Sequence, residues 1–288
     1  MTGYRKLTLK GSLFEVEGAK AIVHIIHGMK EHRKRYHDFM AYLQRNRIAS
    51  ICYDQRGHGE SLSKEYPLGH MENMDELLRD QEEIFWETRK KYENIPYIIV
   101  GHSFGSLIAR QWIRKYNPPA HGLILSGAPH FQGISAIGLV LQKLLDGQKP
   151  SHHKNPIITK IGEFDDISWV CANEKTMEEY RKDPLCTGYT YTDKAHRTVW
   201  ESVWQLKFPQ RIDNLHLKKV LFLAGEDDPI TGGPTGINDS IGRLKKQGYL
   251  EIKSIVYPKM KHEILNERNR KEVYWDILNF IETIEKHP

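Results

Sequence analysis

An apolar, β-branched run at residues 97–100 leads directly into the pentapeptide Gly101-His102-Ser103-Phe104-Gly105 and then into a helix-forming stretch. A serine on such a strand-to-helix turn has a strained backbone, an exposed hydroxyl and a helix N-terminus beneath it. The two flanking glycines remove Cβ atoms that would crowd the strand and the helix. The segment therefore predicts an α/β fold with an activated nucleophile at Ser103. The alternative is that Ser103 only caps a helix.

Short apolar runs alternate with helical patterns along most of the chain. The runs that predict strands are residues 21–27, 48–53, 97–100, 122–126, 220–224 and 252–257. The segments that predict helices are residues 36–45, the stretch after the capping residue Asn73, residues 104–116 and the C-terminal stretch from Val273 to Ile284. This alternation predicts a mostly parallel central sheet with helices on both faces. Ligands of such sheets bind at the carboxyl ends of the strands, where Gly28, Asp54 and Ser103 lie.

The alternation stops between about residues 131 and 213, where prolines and short helical patterns follow one another. We expect this segment to be a helical cap inserted after the sixth strand of one core formed by residues 1–130 and 214–288. Apolar residues recur at helical spacing within residues 134–145. They could pack against the body of the protein or line a pocket for an apolar tail, and the two roles are compatible.

Cysteine content and apolar runs bear on the compartment. The three cysteines, Cys52, Cys171 and Cys186, lack the spacing of metal ligands and are interpreted as ordinary thiols. Burial within an apolar strand would suppress the thiolate of Cys52, which argues against a cysteine nucleophile. The N-terminal residues 1–10 lack the apolar stretch of a signal peptide, and no run is long enough to span a membrane. We therefore expect a cytoplasmic protein.

The formal net charge is a mild +5, and the densest basic segment is residues 30–35. Glu31 interrupts this segment, and it is too short for a nucleic-acid footprint. We expect no nucleic-acid partner and interpret the segment as the solvated start of a helix. Weak attraction to anionic substrates or to a membrane surface is the alternative.

A serine hydroxyl attacks poorly unless a base lies within hydrogen-bond reach and a third group orients that base. Position selects His262 from the 15 histidines, because it lies on a loop between the last predicted strand and the last predicted helix. Glu226, Asp227 and Asp228 follow the preceding strand at the same edge of the sheet. We predict that Ser103 is the nucleophile, His262 the base and Asp228 the orienting acid, with Glu226 and Asp227 as alternatives for the acid.

An oxyanion hole needs backbone N–H donors aimed at the developing negative charge. Phe104 follows the nucleophile and offers one donor from the start of its helix. The loop after the first predicted central strand, His27-Gly28-Met29, offers the second. Gly28 permits a turn there, so we predict the N–H of Met29 as this donor.

Four segments in this order resemble the α/β-hydrolases of the monoacylglycerol lipase and lysophospholipase group, which are serine hydrolases with an inserted cap. The segments are His27-Gly28-Met29-Lys30-Glu31-His32 with Arg35-Tyr36, the loop at residues 53–61, Gly101-His102-Ser103-Phe104-Gly105-Ser106, and the pair Gly225-Glu226-Asp227-Asp228 and His262-Glu263. Together they span nearly the whole core from Ala21 onward, which is far more specific than the pentapeptide alone.

The resemblance implies the α/β-hydrolase fold and a serine carboxylic ester hydrolase that forms an acyl-enzyme. It implies a single-chain lipid ester as substrate, either a lysophospholipid or a monoacylglycerol, and no metal or organic cofactor. The family pattern places the acid at Asp228 and the oxyanion donors at the backbones of Met29 and Phe104. It gives Glu31, Arg35 and the loop at residues 54–61 a supporting role. Met29 stands where the family often has a small residue and Phe104 where it often has methionine. These departures bear on the shape of the acyl pocket and not on the chemistry.

Other functions remain compatible with these residues. An acyltransferase or a haloperoxidase-like enzyme would use the same three side chains, and a binding protein could retain the fold without catalysis. The expected partners are the small-molecule lipid ester and, transiently, a membrane surface. The sequence does not predict the oligomeric state.

Overall fold

The computed structural model describes residues 1–145, 150–164 and 166–284. Residues 146–149, 165 and 285–288, which fall within the predicted cap and core, lie outside the described part. Among the described residues the sheet has seven strands: β1 (Gly11–Phe14), β2 (Ala21–Ile26), β3 (Ile48–Tyr53), β4 (Tyr97–His102), β5 (Gly122–Ser126), β6 (Lys219–Gly225) and β7 (Glu251–Tyr257). Their order in the sheet is β1-β3-β2-β4-β5-β6-β7.

All neighbouring strands are parallel except β1, which runs antiparallel to β3 with Gly11 opposite Tyr53. The predicted parallel sheet is therefore confirmed. The sequence analysis missed β1, because this short, partly exposed edge strand lacks a continuous apolar run. The inserted segment follows β5, so the expectation that it follows the sixth strand was wrong: it follows the fifth.

Helices cover both faces of the sheet, as predicted. The helices of the described residues are α1 (His37–Arg45), α2 (Met74–Lys91), α3 (Phe104–Tyr116), α4 (Ile134–Leu145), α5 (Pro156–Gly162), α6 (Glu174–Lys182), α7 (Asp193–Gln205), α8 (Gly233–Gln247) and α9 (Arg270–Thr283). Those that pack on the sheet are α1, α2, α3, α8 and α9. Asn73 caps α2, because its side chain accepts a hydrogen bond from the N–H of Glu76 at 3.1 Å. The sequence analysis missed α8, whose first turn contains glycine and proline.

The apolar core forms two layers because successive strand residues point to opposite faces of the sheet. Ile22 and Ile26 of β2 pack into the layer that contains the buried faces of α2, α3 and α8. Val23 and Ile25 pack into the opposite layer with α1 and α9. The sheet is thus buried on both faces, which holds the carboxyl ends of its strands in one rigid edge.

Helices α4–α7 lie in the segment 131–213, which we call the insertion. Helix α4 packs against α7, with Gly138 directly beneath the ring of Trp200. Its buried side chains are small or polar, namely Ser135 and Gln142. Its large apolar side chains point outward: Ile134, Ile137, Val140 and Leu144 are 63%, 64%, 61% and 78% exposed. The expectation that these residues pack against the body was therefore wrong for these four. The expectation that they line a pocket for an apolar tail stays a prediction.

Within the described ranges, no helix combines the length and the apolar character that crossing a bilayer requires.

Candidate active site

Ser103 occupies a tight turn between the end of β4 and the start of α3. Its backbone has φ 50° and ψ −122°, a left-handed conformation that costs a non-glycine residue about 1–3 kcal/mol. The turn is fixed by the Ser103 N–H, which donates to the carbonyl of Ser126 at the end of β5 at 2.9 Å. A Cβ atom on Gly28 would lie 3.0 Å from the Cβ of Ser103. Glycine at position 28 therefore lets the loop after β2 approach the serine closely.

Asp228 and His262 lie on the loops that follow β6 and β7. The Nδ1–H of His262 donates to Asp228 Oδ2 at 3.0 Å. The other carboxylate oxygen accepts from the N–H of Ile230 at 2.9 Å. Asp228 is buried, whereas the alternatives Glu226 and Asp227 are exposed. Because Nδ1 carries the proton in this hydrogen bond, Nε2 of His262 is left with a free lone pair.

The imidazole of His262 is buried and held from three sides. His102, the residue before Ser103, lies with its ring centroid 4.7 Å from that of His262. Trp169 of the insertion lies at 5.0 Å on another side, and its carbonyl accepts from the His262 N–H at 3.4 Å. A Cβ on Gly127, just after β5, would lie 2.9 Å from Nδ1. The ring therefore has little freedom to leave its position next to the Ser103 turn.

Two opposing effects act on the pKa of His262. Burial disfavours the charged imidazolium, but the negative charge and the hydrogen bond of Asp228 favour it and prevail. The net result is a pKa of His262 above its ordinary value. By contrast, burial and the nearby His262 hold the pKa of His102 well below its ordinary value, so His102 stays neutral.

In the loop after β2, two of three consecutive backbone N–H groups have hydrogen-bond acceptors. The N–H of Gly28 donates to the Glu31 carboxylate, and the N–H of Lys30 donates to the Tyr191 hydroxyl of the insertion at 2.8 Å. Across the described ranges, no residue accepts a hydrogen bond from the N–H of Met29 between them. Phe104 begins α3, and the first N–H groups of a helix have no intrahelical partner. These two unused donors flank Ser103.

A buried network of charges supports the loops of the site. Arg35 forms an ion pair with Glu263, the residue after His262, and lies 3.9 Å from Glu31. Tyr36 also donates its hydroxyl proton to Glu31 at 2.8 Å. Burial and the nearby Glu263 raise the pKa of Glu31 to about 7. The network joins the segment after β2 to the His262 loop, in agreement with the supporting role predicted for Glu31 and Arg35.

The basic segment 30–35 is not the solvated helix start that the sequence predicted. Lys30 pairs with Glu163 at 2.9 Å, Lys34 pairs with Glu60 at 2.6 Å, and Arg33 pairs with Asp54. The pairs of Lys30 and Arg33 are thus largely shielded from solvent, whereas the pair of Lys34 is exposed at the surface. The loop at residues 54–61 is structural as predicted, because the buried Asp54 also accepts from the N–H of Glu60 at 2.8 Å.

His32, Asp183 and Cys186 bring possible metal-ligand atoms within 4.8 Å of one another. In the structure, however, Nε2 of His32 and Oδ2 of Asp183 share a hydrogen bond of 2.7 Å. Burial raises the pKa of the Cys186 thiol well above its ordinary value, which disfavours the thiolate that a metal requires. The cluster therefore acts as a contact between the segment after β2 and the insertion.

The structure brings all five predicted site residues to one edge of the sheet. It also adds three residues that the sequence analysis did not identify: Gly127, Trp169 and Tyr191. Gly127 could have been found, because it directly follows a predicted strand at the same edge. Nothing in the local pattern around Trp169 or Tyr191 distinguishes them from other aromatic residues of the insertion.

A family model matches most of the chain. The model Hydrolase_4, described as "Serine aminopeptidase, S33", matches residues 17–269. The chain belongs to this family.

Two relatives and one solved structure resemble this Hydrolase_4 member over most of its length. It is 24% identical over 269 residues to a monoacylglycerol lipase of Mycolicibacterium smegmatis, covering 91% of this chain and 88% of the relative. It is 27% identical over 256 residues to phospholipase YtpA of Bacillus subtilis, covering 88% and 92%. The structure of a thermostable carboxyl esterase from Bacillus coagulans matches with a TM-score of 0.87 at 20% identity, covering 99% of this chain and 97% of that chain.

The predictions of the α/β-hydrolase fold and of the monoacylglycerol lipase group are thereby confirmed. This Hydrolase_4 member is a serine ester hydrolase.

Proposed function

We propose that the chain hydrolyses esters of single-chain lipids, either monoacylglycerols or lysophospholipids, through an acyl-enzyme on Ser103. The observation that carries this proposal is the His262–Asp228 hydrogen bond of 3.0 Å beside the strained turn of Ser103. The bond fixes the imidazole so that its basic nitrogen, Nε2, is available to the serine hydroxyl.

In the first half of the reaction, Nε2 of His262 takes the proton from Ser103 as Oγ attacks the ester carbonyl carbon. The carbonyl oxygen becomes an oxyanion, and the N–H groups of Met29 and Phe104 stabilise its charge. The imidazolium then gives its proton to the leaving alkoxide, which departs as an alcohol. In the second half, His262 takes a proton from a water molecule as that water attacks the carbonyl carbon of the acyl-enzyme. The bond to Ser103 Oγ then breaks, the acid is released, and His262 gives the proton back to Ser103.

Asp228 has two roles in this scheme. It holds the proton on Nδ1, which keeps the correct tautomer, and its charge stabilises the imidazolium that forms during attack. The same interaction with the Asp228 carboxylate raises the pKa of His262. The turn at Ser103 and the buried ring of His262 hold both groups in place before the substrate binds. The attack therefore requires little movement of either side chain.

A lipid substrate is supported by the relatives, which are named a monoacylglycerol lipase and a phospholipase. It is also supported by α4, whose exposed apolar face includes Ile137 and Leu144. An amphipathic helix with such a face can insert into the interfacial region of a membrane, where these substrates reside. We propose transient contact of α4 with a membrane surface. The free, buried thiols of Cys52, Cys171 and Cys186 support a cytoplasmic, reducing location.

The test combines a fluorophosphonate probe with ester turnover. The wild-type chain is expected to be labelled and to release free fatty acid from a monoacylglycerol and from a lysophospholipid. Ser103→Ala should lose both activities, whereas Ser254→Ala on the exposed edge strand β7 should keep them. Labelling that survives in Ser103→Ala would refute the proposed nucleophile. An unlabelled wild-type chain would indicate a binding protein, and transfer of the acyl group to an alcohol instead of water would indicate an acyltransferase.

A further inference from the structure

A small cavity lies between α3 of the core and α7 of the insertion, about two helical turns beyond Ser103 along α3. Its volume is about 20 Å³. The polar side chains that line it are Arg110, Gln111, Arg114, Ser202, Gln205 and Gln247. Two of them carry a positive charge, and no carboxylate is among the described residues that line the cavity.

Arg110 is the distinctive group of this cavity. Its side chain belongs to a residue that is only 3% exposed. Its Nε and Nη1 atoms are buried, and no acceptor in the described parts of the chain bonds to either. Nε2 of Gln111 is a further buried donor in the same condition. Oε1 of Gln247, also on the cavity lining, is a buried acceptor that no donor in the described parts of the chain reaches. The cavity thus presents three hydrogen-bond donors and one acceptor that the surrounding protein does not use.

The neighbouring charges do not neutralise Arg110. Asp239 attracts Arg110 at a distance, but its carboxylate is paired with Arg243 at 2.6 Å. Arg114 donates to the neutral amide oxygen of Gln205 at 2.8 Å and adds a second cation to the cavity wall. A buried charge without a partner is strongly unfavourable, so this arrangement calls for a negative charge within reach of Arg110.

Arg110 cannot avoid this cost by losing its proton at neutral pH. Burial lowers the pKa of Arg110 to about 10, and Tyr249 opposes that effect. The guanidinium is therefore still charged near pH 7.

We propose that this cavity is a binding site for one small monovalent anion of the size of chloride, held by Arg110 with the amide of Gln111. A cavity that holds one water needs about 10–15 Å³, so a volume of about 20 Å³ admits a single-atom ion. Tetrahedral oxyanions such as sulfate or phosphate are too large for it. A neutral water could satisfy the N–H donors, but only an anion also offsets the charge.

The position of the site gives anion binding a structural consequence. Its lining residues come from α3, from α7 and the segment just after it, and from the end of α8, and so from both the core and the insertion. An ion that binds only the folded chain raises stability with its concentration until the site is full. Chloride is therefore expected to stabilise the packing of α7 against α3. This inference does not depend on the proposed lipid substrate.

Thermal unfolding of the full chain in sodium gluconate, titrated with chloride or bromide at constant ionic strength, tests the site. Both halides are expected to give a saturating rise in Tm of about 2–4 °C. Sulfate at the same ionic strength should give no saturating component. Arg110→Met should abolish the halide-dependent rise, whereas Arg181→Met, at an exposed position of α6, should retain it. A rise that persists in Arg110→Met would overturn the proposal.

Crystals of the wild-type chain grown with bromide provide a measurement that does not depend on the folding of a variant. An anomalous peak beside the Arg110 guanidinium would support the site. Ordered water at that place without an anomalous signal would overturn it.

Discussion

Arg35 and Glu263 form a buried ion pair between the segment after β2 and the loop that carries His262. The two residues are 228 positions apart in the sequence. Glu263 directly follows the proposed base, and Glu31, beside Arg35, accepts a hydrogen bond from the loop of the proposed oxyanion donor Met29. One arginine therefore fixes the position of the loop after β2 relative to the loop that carries His262.

Arg35→Met should destabilise the chain strongly. Removal of the guanidinium leaves the carboxylate of Glu263 buried without its partner, at a cost of about 3–5 kcal/mol in the free energy of unfolding. Urea denaturation measures this loss. Arg45→Met, at the exposed end of α1, is the matched control and should change the free energy by less than about 0.5 kcal/mol. Equal effects of the two substitutions would contradict a structural role for the ion pair.

Asp228→Asn should lower kcat by about a thousandfold to ten-thousandfold, because the amide no longer holds the reactive tautomer of His262. It should also change the pH dependence. The base must be neutral to act, so activity falls as the pH drops through the pKa of His262. Because the charge of Asp228 raises that pKa, its removal should move the acidic limb of the remaining activity to lower pH.

The pH–rate profile of a soluble p-nitrophenyl ester is the measurement for Asp228→Asn. Asp227→Asn, at the exposed neighbouring position, should keep both the rate and the profile of the wild type. A loss of activity in Asp227→Asn, with Asp228→Asn unaffected, would reassign the acid.

Gly127→Ala should impair catalysis by displacing the imidazole. The added Cβ would lie 2.9 Å from Nδ1 of His262, and the φ of 55° at this position strains any side chain. A displacement of about 1 Å lowers kcat by about a hundredfold. Gly133→Ala is the control, because its Cβ would meet no atom within 4 Å. A kcat close to wild type in Gly127→Ala, with a normal Tm, would show that the ring is less tightly held than the structure indicates.

Leu144→Ser should weaken the contact of α4 with lipid. Leu144 is 78% exposed on the apolar face of this helix, so its loss should reduce partitioning to phospholipid vesicles by about tenfold. Turnover of a soluble ester should not change. Leu250→Ser removes a leucine that is 70% exposed just before β7 and should leave vesicle binding intact. Co-sedimentation with vesicles distinguishes the two variants, and equal binding would exclude α4 as the contact.

The sequence alone was sufficient to predict the parallel sheet and the positions of Ser103, Asp228 and His262. Apolar runs identify buried parallel strands, and the carboxyl ends of such strands meet at one edge whatever the details of packing. Asp228 was preferred to Glu226 and Asp227 before the family was named, and the family pattern points to the same residue. The structure supports that choice with the burial of Asp228 and its hydrogen bond to His262.

Only the tertiary structure decided how distant segments meet. The helical spacing in residues 134–145 shows that α4 has an apolar face, but not which face meets the protein, and packing on Trp200 turns that face outward. Helix α8 forms despite its glycines because Ile237 and Leu244 are buried in the core. Likewise, no local pattern predicts that Arg35 pairs with Glu263 or that Arg110 is buried with no hydrogen-bond partner among the described residues. The sequence determines the chemistry of each side chain. Whether a side chain's charge is paired, and how freely the side chain moves, depend on neighbours that only folding brings together.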